Sequence, residues 1–236
     1  MAEERRSLRP LPRDRRGTRR HRRGRDRRGE RRRLWFGIQE FDEVGEGKAG
    51  NRERLAVDFA KVLDTTTHFL DERGFRYALV GAFALSAYGL SRATQDIDLA
   101  VDAAAQRDLV GFLESLGYET LYCSAGYSNH VHRLPALGRV DCIYVGEPTA
   151  AILFDGARIV PLFGKTIRVP RPEHLAAMKL MAMKNDPTRT FQEMSDIQHI
   201  LGVPGTDVDE IRGYFERYGF PEKFDELRRI LDSDRP

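Results

Sequence analysis

Apolar residues after residue 53 recur with helical and strand-like spacing in turn. Leu55, Phe59 and Leu63, with Gly74 behind them, predict a helix over 54–74. The same patterns predict a strand at 75–80, a short helix at 82–88, a strand at 94–101, a helix at 104–118, a strand pair around "PALG" in 129–145 and a second pair around Gly164 in 157–170. Helices and strands therefore alternate through this part of the chain.

After Pro170 the pattern is helical throughout, with predicted helices at 171–185, 189–202, 207–220 and 221–233. Alternation followed by helices predicts an α/β (α+β) fold, a small mixed β-sheet core with flanking helices and a helical C-terminal part. The predicted domains are an Arg-rich disordered arm and linker at 1–50, the core at 51–170, and a helical extension packed on the core at 171–236.

Charge divides the chain into two parts. Residues 1–33 hold sixteen Arg against five acids, a net charge of +11, so the remaining residues carry −8 of the total +3. The basic segment has too few apolar residues to fold, and such arms favour nucleic acid. Two interpretations stay open: an RNA-binding arm, or a segment left untranslated by a true start near Val44.

The cysteine content and the hydropathy of the sequence indicate the cellular compartment. Cys123 and Cys142 are the only cysteines, their spacing is not that of a redox or metal motif, and free thiols are expected. No run of about 18 apolar residues is present, so no membrane span is expected. The predicted location is the cytoplasm.

Two carboxylates interrupt the predicted strand at 94–101. Asp96 and Asp98 are two residues apart, so they face the same side of the strand while Ile97 and Leu99 face the core. Carboxylates that share a face repel unless a cation lies between them, and Mg²⁺ prefers such oxygen ligands. Asp141, in the later strand "RVDCIYV", qualifies as a third ligand.

A glycine turn precedes these acids. Gly81 follows the strand at 75–80 and opens the short helix at 82–88. Glycine turns that lead into helices bind phosphate through free N–H groups. Carboxylates for a metal beside a turn for phosphate predict a metal–nucleotide site.

The stretch "VGAFALSAYGLSRATQDIDLAV" (80–101) resembles the signature of the DNA-polymerase-β-like nucleotidyltransferase superfamily. It is close to bacterial minimal nucleotidyltransferases and AbiEii-type toxin nucleotidyltransferases. The resemblance implies that Gly81 and Ala82 begin a phosphate-binding turn and that Asp96, Asp98 and Asp141 are catalytic and bind two Mg²⁺ ions, with Mn²⁺ as an alternative. Ala82 stands where many members have Ser or a second Gly.

Basic and polar residues within and after the signature complete the predicted site. Arg92 and Thr94 precede the acids, and the fork of donors on Arg92 suits a triphosphate. Lys179 lies in an apolar helical stripe and either snorkels or reaches the triphosphate. Asp196 is predicted to lie on a helix surface, and His130 and His132 to be structural or substrate-lining.

The implied reaction transfers a nucleoside monophosphate from a triphosphate such as ATP to an acceptor hydroxyl. Toxin-like relatives imply an RNA, tRNA or protein acceptor and a cognate antitoxin. The alternatives are an antibiotic nucleotidyltransferase of aminoglycoside or lincosamide type, and an inactive nucleotide- or RNA-binding module. The Arg-rich arm favours RNA, whereas the acidic remainder favours a cationic acceptor.

Overall fold

The structure, a computed structural model, describes residues 57–233. Its helices are α1 (Phe59–Glu72), α2 (Gly81–Ser86), α3 (Gln106–Ser115), α4 (Thr149–Asp155), α5 (Pro172–Asn185), α6 (Thr190–Leu201), α7 (Val208–Tyr218) and α8 (Pro221–Ser233). Short 3₁₀ turns lie at Ala103–Ala105, Pro135–Leu137 and Pro187–Arg189. The Arg-rich segment and Val44 lie outside the described residues. Within 57–233, no helix is long and apolar enough to cross a membrane.

Seven strands form two sheets in this part of the chain. They are β1 (Tyr77–Leu79), β2 (Asp96–Asp102), β3 (Tyr118–Ser124), β4 (Tyr127–His132), β5 (Arg139–Val145), β6 (Arg158–Leu162) and β7 (Lys165–Val169). The larger sheet has the order β1-β2-β5-β4-β3, and only β2 and β5 run parallel. Strands β6 and β7 form a separate hairpin. The predicted fold class, a small mixed sheet with a helical C-terminal part, is confirmed.

The core forms because β2 and β5 bury alternate residues. Ile97, Leu99 and Val101 on β2 are at most 1% exposed, and Val140 and Cys142 on β5 are fully buried. They belong to one apolar cluster that also includes leucines of α1 and α3. Burial of each such side chain stabilises the fold by about 1.5–3 kcal/mol. The opposite face carries Asp96 and Asp98 on β2, and Asp141 followed by Ile143 and Val145 on β5.

Two elements differ from the sequence prediction. Strand β3 was not predicted, because most of its residues, among them Leu121 and Tyr122, are exposed and give no alternation. Helix α4 was not predicted, because its seven residues are too few for a clear helical period. The predicted boundary at 170/171 falls just before α5, and the division into domains stays a prediction.

Candidate active site

The three aspartates lie on one face of the two central strands. Asp98 and Asp141 are direct partners in the parallel pairing of β2 with β5, where neighbouring strands are about 4.8 Å apart. Asp96 is one pleat further toward the start of β2 and pairs with Arg139. Sheet register therefore brings together the acids that are 43 residues apart in sequence, Asp98 and Asp141.

Gly81 lies against the Asp98 carboxylate. The N–H of Val80 donates to the carbonyl oxygen of Asp98 at 2.9 Å, which brings the turn after β1 alongside β2. A Cβ atom at position 81 would be 2.0 Å from Oδ2 of Asp98, and Gly81 has φ +61°. Both the contact and the left-handed backbone require glycine here.

Burial and like charges act together on Asp98. Burial, followed by the charges of Asp141 and Asp96, raises the pKa of Asp98 to about 7, against the smaller opposing effects of Lys179 and Arg92. When a carboxyl group has its pKa raised in this way, a cation between it and its acidic neighbours stabilises its ionised form.

Asp141 is held by two side chains of β4. The hydroxyl of Tyr127 donates to Oδ2 of Asp141 at 2.7 Å, and the amide of Asn129 donates to Oδ1. Arg139 donates in turn to the Asn129 amide oxygen at 3.4 Å. Burial raises the pKa of Asp141, whereas the hydrogen bonds from Tyr127 and Asn129 oppose that rise. Asp141 is thus oriented on the sheet and made more basic by burial.

Lys179 and Arg92 converge on a buried acidic pair of α6. The Lys179 ammonium lies 2.6 Å from Asp196 Oδ2 and 2.8 Å from Glu193 Oε2. Arg92 lies 3.2 Å from Asp196, and Arg189 pairs with Glu193. The prediction that Asp196 lies on a helix surface is wrong, because its side chain is buried between these two cations.

The remaining predicted site residues are Ala82 and Thr94, and each lies in a turn close to the aspartates of β2. Ala82 is buried in the first turn of α2, next to Gly81. Thr94 Oγ1 accepts from the Asp96 N–H at 3.3 Å and closes the turn that leads into β2. Ala82 and Thr94 therefore shape the backbone around Asp96 and Asp98.

Several solved structures are similar to this chain. The antibiotic-resistance factor ANT(2'')-Ia is 17% identical over 73% of this chain and 90% of that chain, with a TM-score of 0.45. The lincomycin-bound lincosamide antibiotic adenylyltransferase LnuA is 15% identical over 63% and 99%, with a TM-score of 0.47. An antigenic nucleotidyltransferase-like protein from Paracoccidioides brasiliensis is 15% identical over 76% and 91%, with a TM-score of 0.49.

No protein-family model matches the chain, and no curated protein matches it significantly. At these identities the similarity to solved structures concerns the path of the chain alone. The narrower likeness to AbiEii-type toxins stays a prediction.

The donor chemistry of Asp96, Asp98 and Asp141 suits a hard divalent cation, because all three supply carboxylate oxygens from one sheet face. Within residues 57–233, no three His, Cys, Asp or Glu side chains already form a metal-binding group. The fit to Mg²⁺ therefore rests on donor type and shared face, and these three aspartates are the residues that would hold it.

His130 and His132 have structural contacts. The ring of His130 is buried between the hydroxyls of Thr120 and Ser128, at 3.1 and 2.8 Å, and burial lowers its pKa to about 4. His132 accepts from the Leu134 N–H at 2.9 Å and contacts the Leu116 carbonyl. The structural alternative predicted for this pair fits these contacts.

Sequence reasoning missed Tyr127, Asn129 and Glu193. Asn129 is the direct partner of Asp141 across β4 and β5, and its place in a strand that forms a hairpin with β5 was the available signal. Counting pairs back from a turn at "PALG" would set His132 opposite Asp141, because the ladder ends three residues earlier on β4, at Val131 with Arg139. Glu193 gives no such signal, because its contact with Lys179 joins two helices.

Proposed function

We propose that this chain is a metal-dependent nucleotidyltransferase that transfers a nucleoside monophosphate from a nucleoside triphosphate to an acceptor hydroxyl. The observation that supports this most is the placement of Asp98 directly opposite Asp141 with Gly81 against the Asp98 carboxylate. A purely structural pair of strands has no need for three acids on one face, since their repulsion destabilises the pair.

Each residue of the site has a role in this proposal. Asp96, Asp98 and Asp141 hold Mg²⁺, which when bound neutralises phosphate charge and makes the acceptor hydroxyl easier to deprotonate. Asp141, made more basic by burial and oriented by Tyr127 and Asn129, accepts the hydroxyl proton. Gly81 leaves the backbone bare where the triphosphate approaches.

The bonds that change follow from this arrangement. The acceptor oxygen forms a bond to the α-phosphorus, and the bond from that phosphorus to the bridging oxygen of the β-phosphate breaks. Pyrophosphate leaves with the displaced electron pair. Arg92, whose side chain is 27% exposed, lies in the loop before β2, and its charge acts on Asp98, so it is the cation we assign to the departing phosphates.

For Lys179 this proposal differs from both alternatives predicted from the sequence, snorkelling and contact with the triphosphate. Its ammonium is buried against Asp196 and Glu193, so it supports Arg92 through Asp196 rather than contacting phosphate itself. The toxin role, the antitoxin partner and the number of metal ions stay predictions from the resemblance.

The test supplies each α-³²P nucleoside triphosphate in turn with Mg²⁺ and separated RNA, protein and small-molecule fractions of a bacterial extract. Label should move into one fraction with the wild-type chain and not with Asp98→Asn. Asp108→Asn, an exposed acid on α3, is the matched control and should retain transfer. Transfer that survives Asp98→Asn would refute the site, and triphosphate binding without transfer to any fraction would favour a nucleotide-binding module.

A further inference from the structure

A groove of about 370 Å³ lies at the C-terminal end of β5. Ile143 and Val145 line it and follow Asp141 on β5 at two-residue steps, so all three side chains share one face. The rise of a strand puts Ile143 about 7 Å from Asp141. Tyr127, whose hydroxyl holds Asp141, is the strand partner of Ile143. The groove therefore begins one same-face residue beyond Asp141.

Tyr144 and Gly146 also line the groove, and three helices form the rest. They contribute Thr149, Ile152 and Leu153 from α4, His174, Ala177, Met178 and Met181 from α5, and Tyr214, Arg217 and Tyr218 from α7. Apolar and aromatic side chains with a few polar groups, in a volume of this size, are typical of sites for small organic molecules.

Charge in the lining selects among the acceptors. None of the described residues that line the groove is Asp or Glu, and Arg217 is the one side chain among them that is charged at every physiological pH. The nearby Glu210 is occupied, since Arg171 lies 2.5 Å from Oε2 and the Tyr214 hydroxyl donates to Oε1 at 2.9 Å. Away from the three aspartates, a polyamine would find no carboxylate among these lining residues, and an RNA would find one Arg where it needs several phosphate contacts.

His174 supplies an independent indication of a ligand. It lines the groove, is 6% exposed, and its Nδ1 has no hydrogen-bond partner among the described residues. An unpaired buried polar atom destabilises the protein, and a hydrogen bond from a ligand offsets that cost.

We infer that this groove is the acceptor site, and that the acceptor is a hydroxylated small molecule with an apolar body and at most one positive charge. This deepens the proposed function and rests on it. The apolar body lies along Ile143, Ile152 and Met178, a polar group pairs with His174, and the reacting hydroxyl points along β5 toward Asp141.

The chain carries its own reporters for a test. Met178 and Met181 line the groove, whereas Met183 is buried in the core and Met194 lies on α6 outside the groove. In the full-length protein labelled with ¹³C at the methionine methyls, NMR can follow all four signals during a titration. The probes are lincomycin, which has one amine and an alkylated proline ring, tobramycin, which is a polyamine, and a short RNA oligonucleotide.

Lincomycin should shift the Met178 and Met181 methyls saturably and leave Met183 and Met194 unmoved, whereas tobramycin and RNA should shift neither groove signal. Ile152→Asp places a charge in the groove at a side chain that is 57% exposed, and should weaken lincomycin binding at least about tenfold. Ile159→Asp, at a 69% exposed position outside the groove, is the matched control and should bind as the wild type does.

The inference is overturned if lincomycin moves neither methyl at millimolar concentration, if tobramycin or RNA moves them instead, or if Ile152→Asp binds normally. Transfer of the α-³²P label is measured separately. Absent transfer with intact methyl shifts would reject the nucleotidyltransferase proposal while leaving a small-molecule groove. Transfer to RNA or to a polyamine with no methyl shift would leave the nucleotidyltransferase proposal standing and reject the groove as acceptor site.

Discussion

Gly81 is the residue at which the backbone comes closest to the Asp98 carboxylate, and Gly81→Ala tests that approach. The added Cβ would be 2.0 Å from Oδ2, so Asp98 or the turn must move. We expect loss of nucleotidyl transfer and a fall of about 3 kcal/mol or more in the free energy of unfolding. Calorimetry and the label-transfer assay measure both effects.

Gly74 is the matched control for this substitution. It has a similar backbone conformation, with φ +69°, but a Cβ added there would have no atom within 4 Å. Gly74→Ala should therefore cost only the backbone strain of about 1–2 kcal/mol and retain transfer. Equal losses in the two variants would mean that the contact with Asp98 has no part in the effect.

Asp98 also makes stability depend on pH. Its pKa is about 7 in the folded protein against about 3.9 in an unfolded chain, so between these values the folded state binds more protons. Raising the pH through this window must then lower the free energy of unfolding of the metal-free protein, by up to about 4 kcal/mol. Asp98→Asn removes this dependence and should be more stable than the wild type at pH 8 but not at pH 4.

Melting temperatures measured across this pH range, in a chelator, provide the comparison. Asp108→Asn should follow the wild-type curve, because that acid is exposed on α3. Added Mg²⁺ should narrow the gap at pH 8, since a bound cation favours the ionised carboxylate. Identical curves for the wild type and Asp98→Asn would contradict the raised pKa.

Between helices α5 and α6, the buried contacts of Lys179 give a prediction about packing. Lys179→Met leaves Asp196 and Glu193 without their shared partner, and breaking such a pair costs about 3–5 kcal/mol. Lys184→Met changes an exposed lysine of the same helix and should cost about 0.5 kcal/mol or less. Urea unfolding compares the two. Unchanged stability of Lys179→Met with weakened triphosphate binding would instead assign Lys179 to the nucleotide.

The elements differ in how far their sequences could predict them. Strands β2 and β5 were predictable, because Ile97, Leu99, Val140 and Cys142 bury one face and leave the aspartates on the other. Their parallel pairing, which sets Asp98 opposite Asp141, joins residues far apart in the sequence, so no local sequence pattern predicts it. The same holds for Asp196, whose polar side chain is typical of a helix surface until a lysine from another helix neutralises it.

Across the whole molecule, the net charge of a long segment differs from the charge at the proposed acceptor groove. The first 33 residues carry +11 and the rest −8, while the described residues that line the groove near Asp141 include one Arg and no acid. The alternative acceptors predicted from these charges, RNA from the arm and a cationic drug from the acidic remainder, follow from totals that say nothing about where charges lie. The residues that line the groove are those that would contact an acceptor, and their charges favour neither RNA nor a cationic drug.

Affinity for RNA should therefore depend on residues 1–48 and be independent of catalysis. We expect the full chain to bind RNA with a log affinity that falls linearly with log salt, by about 0.7 per phosphate contact. Deleting 1–48 should abolish both the binding and its salt dependence, because the residues that remain are acidic overall. Transfer of label to a small-molecule acceptor should be unchanged by the deletion. If the shortened chain retained RNA affinity with the same salt slope, the RNA contacts would lie among the later residues, and an RNA acceptor would have to reach Asp141 by a route other than the groove.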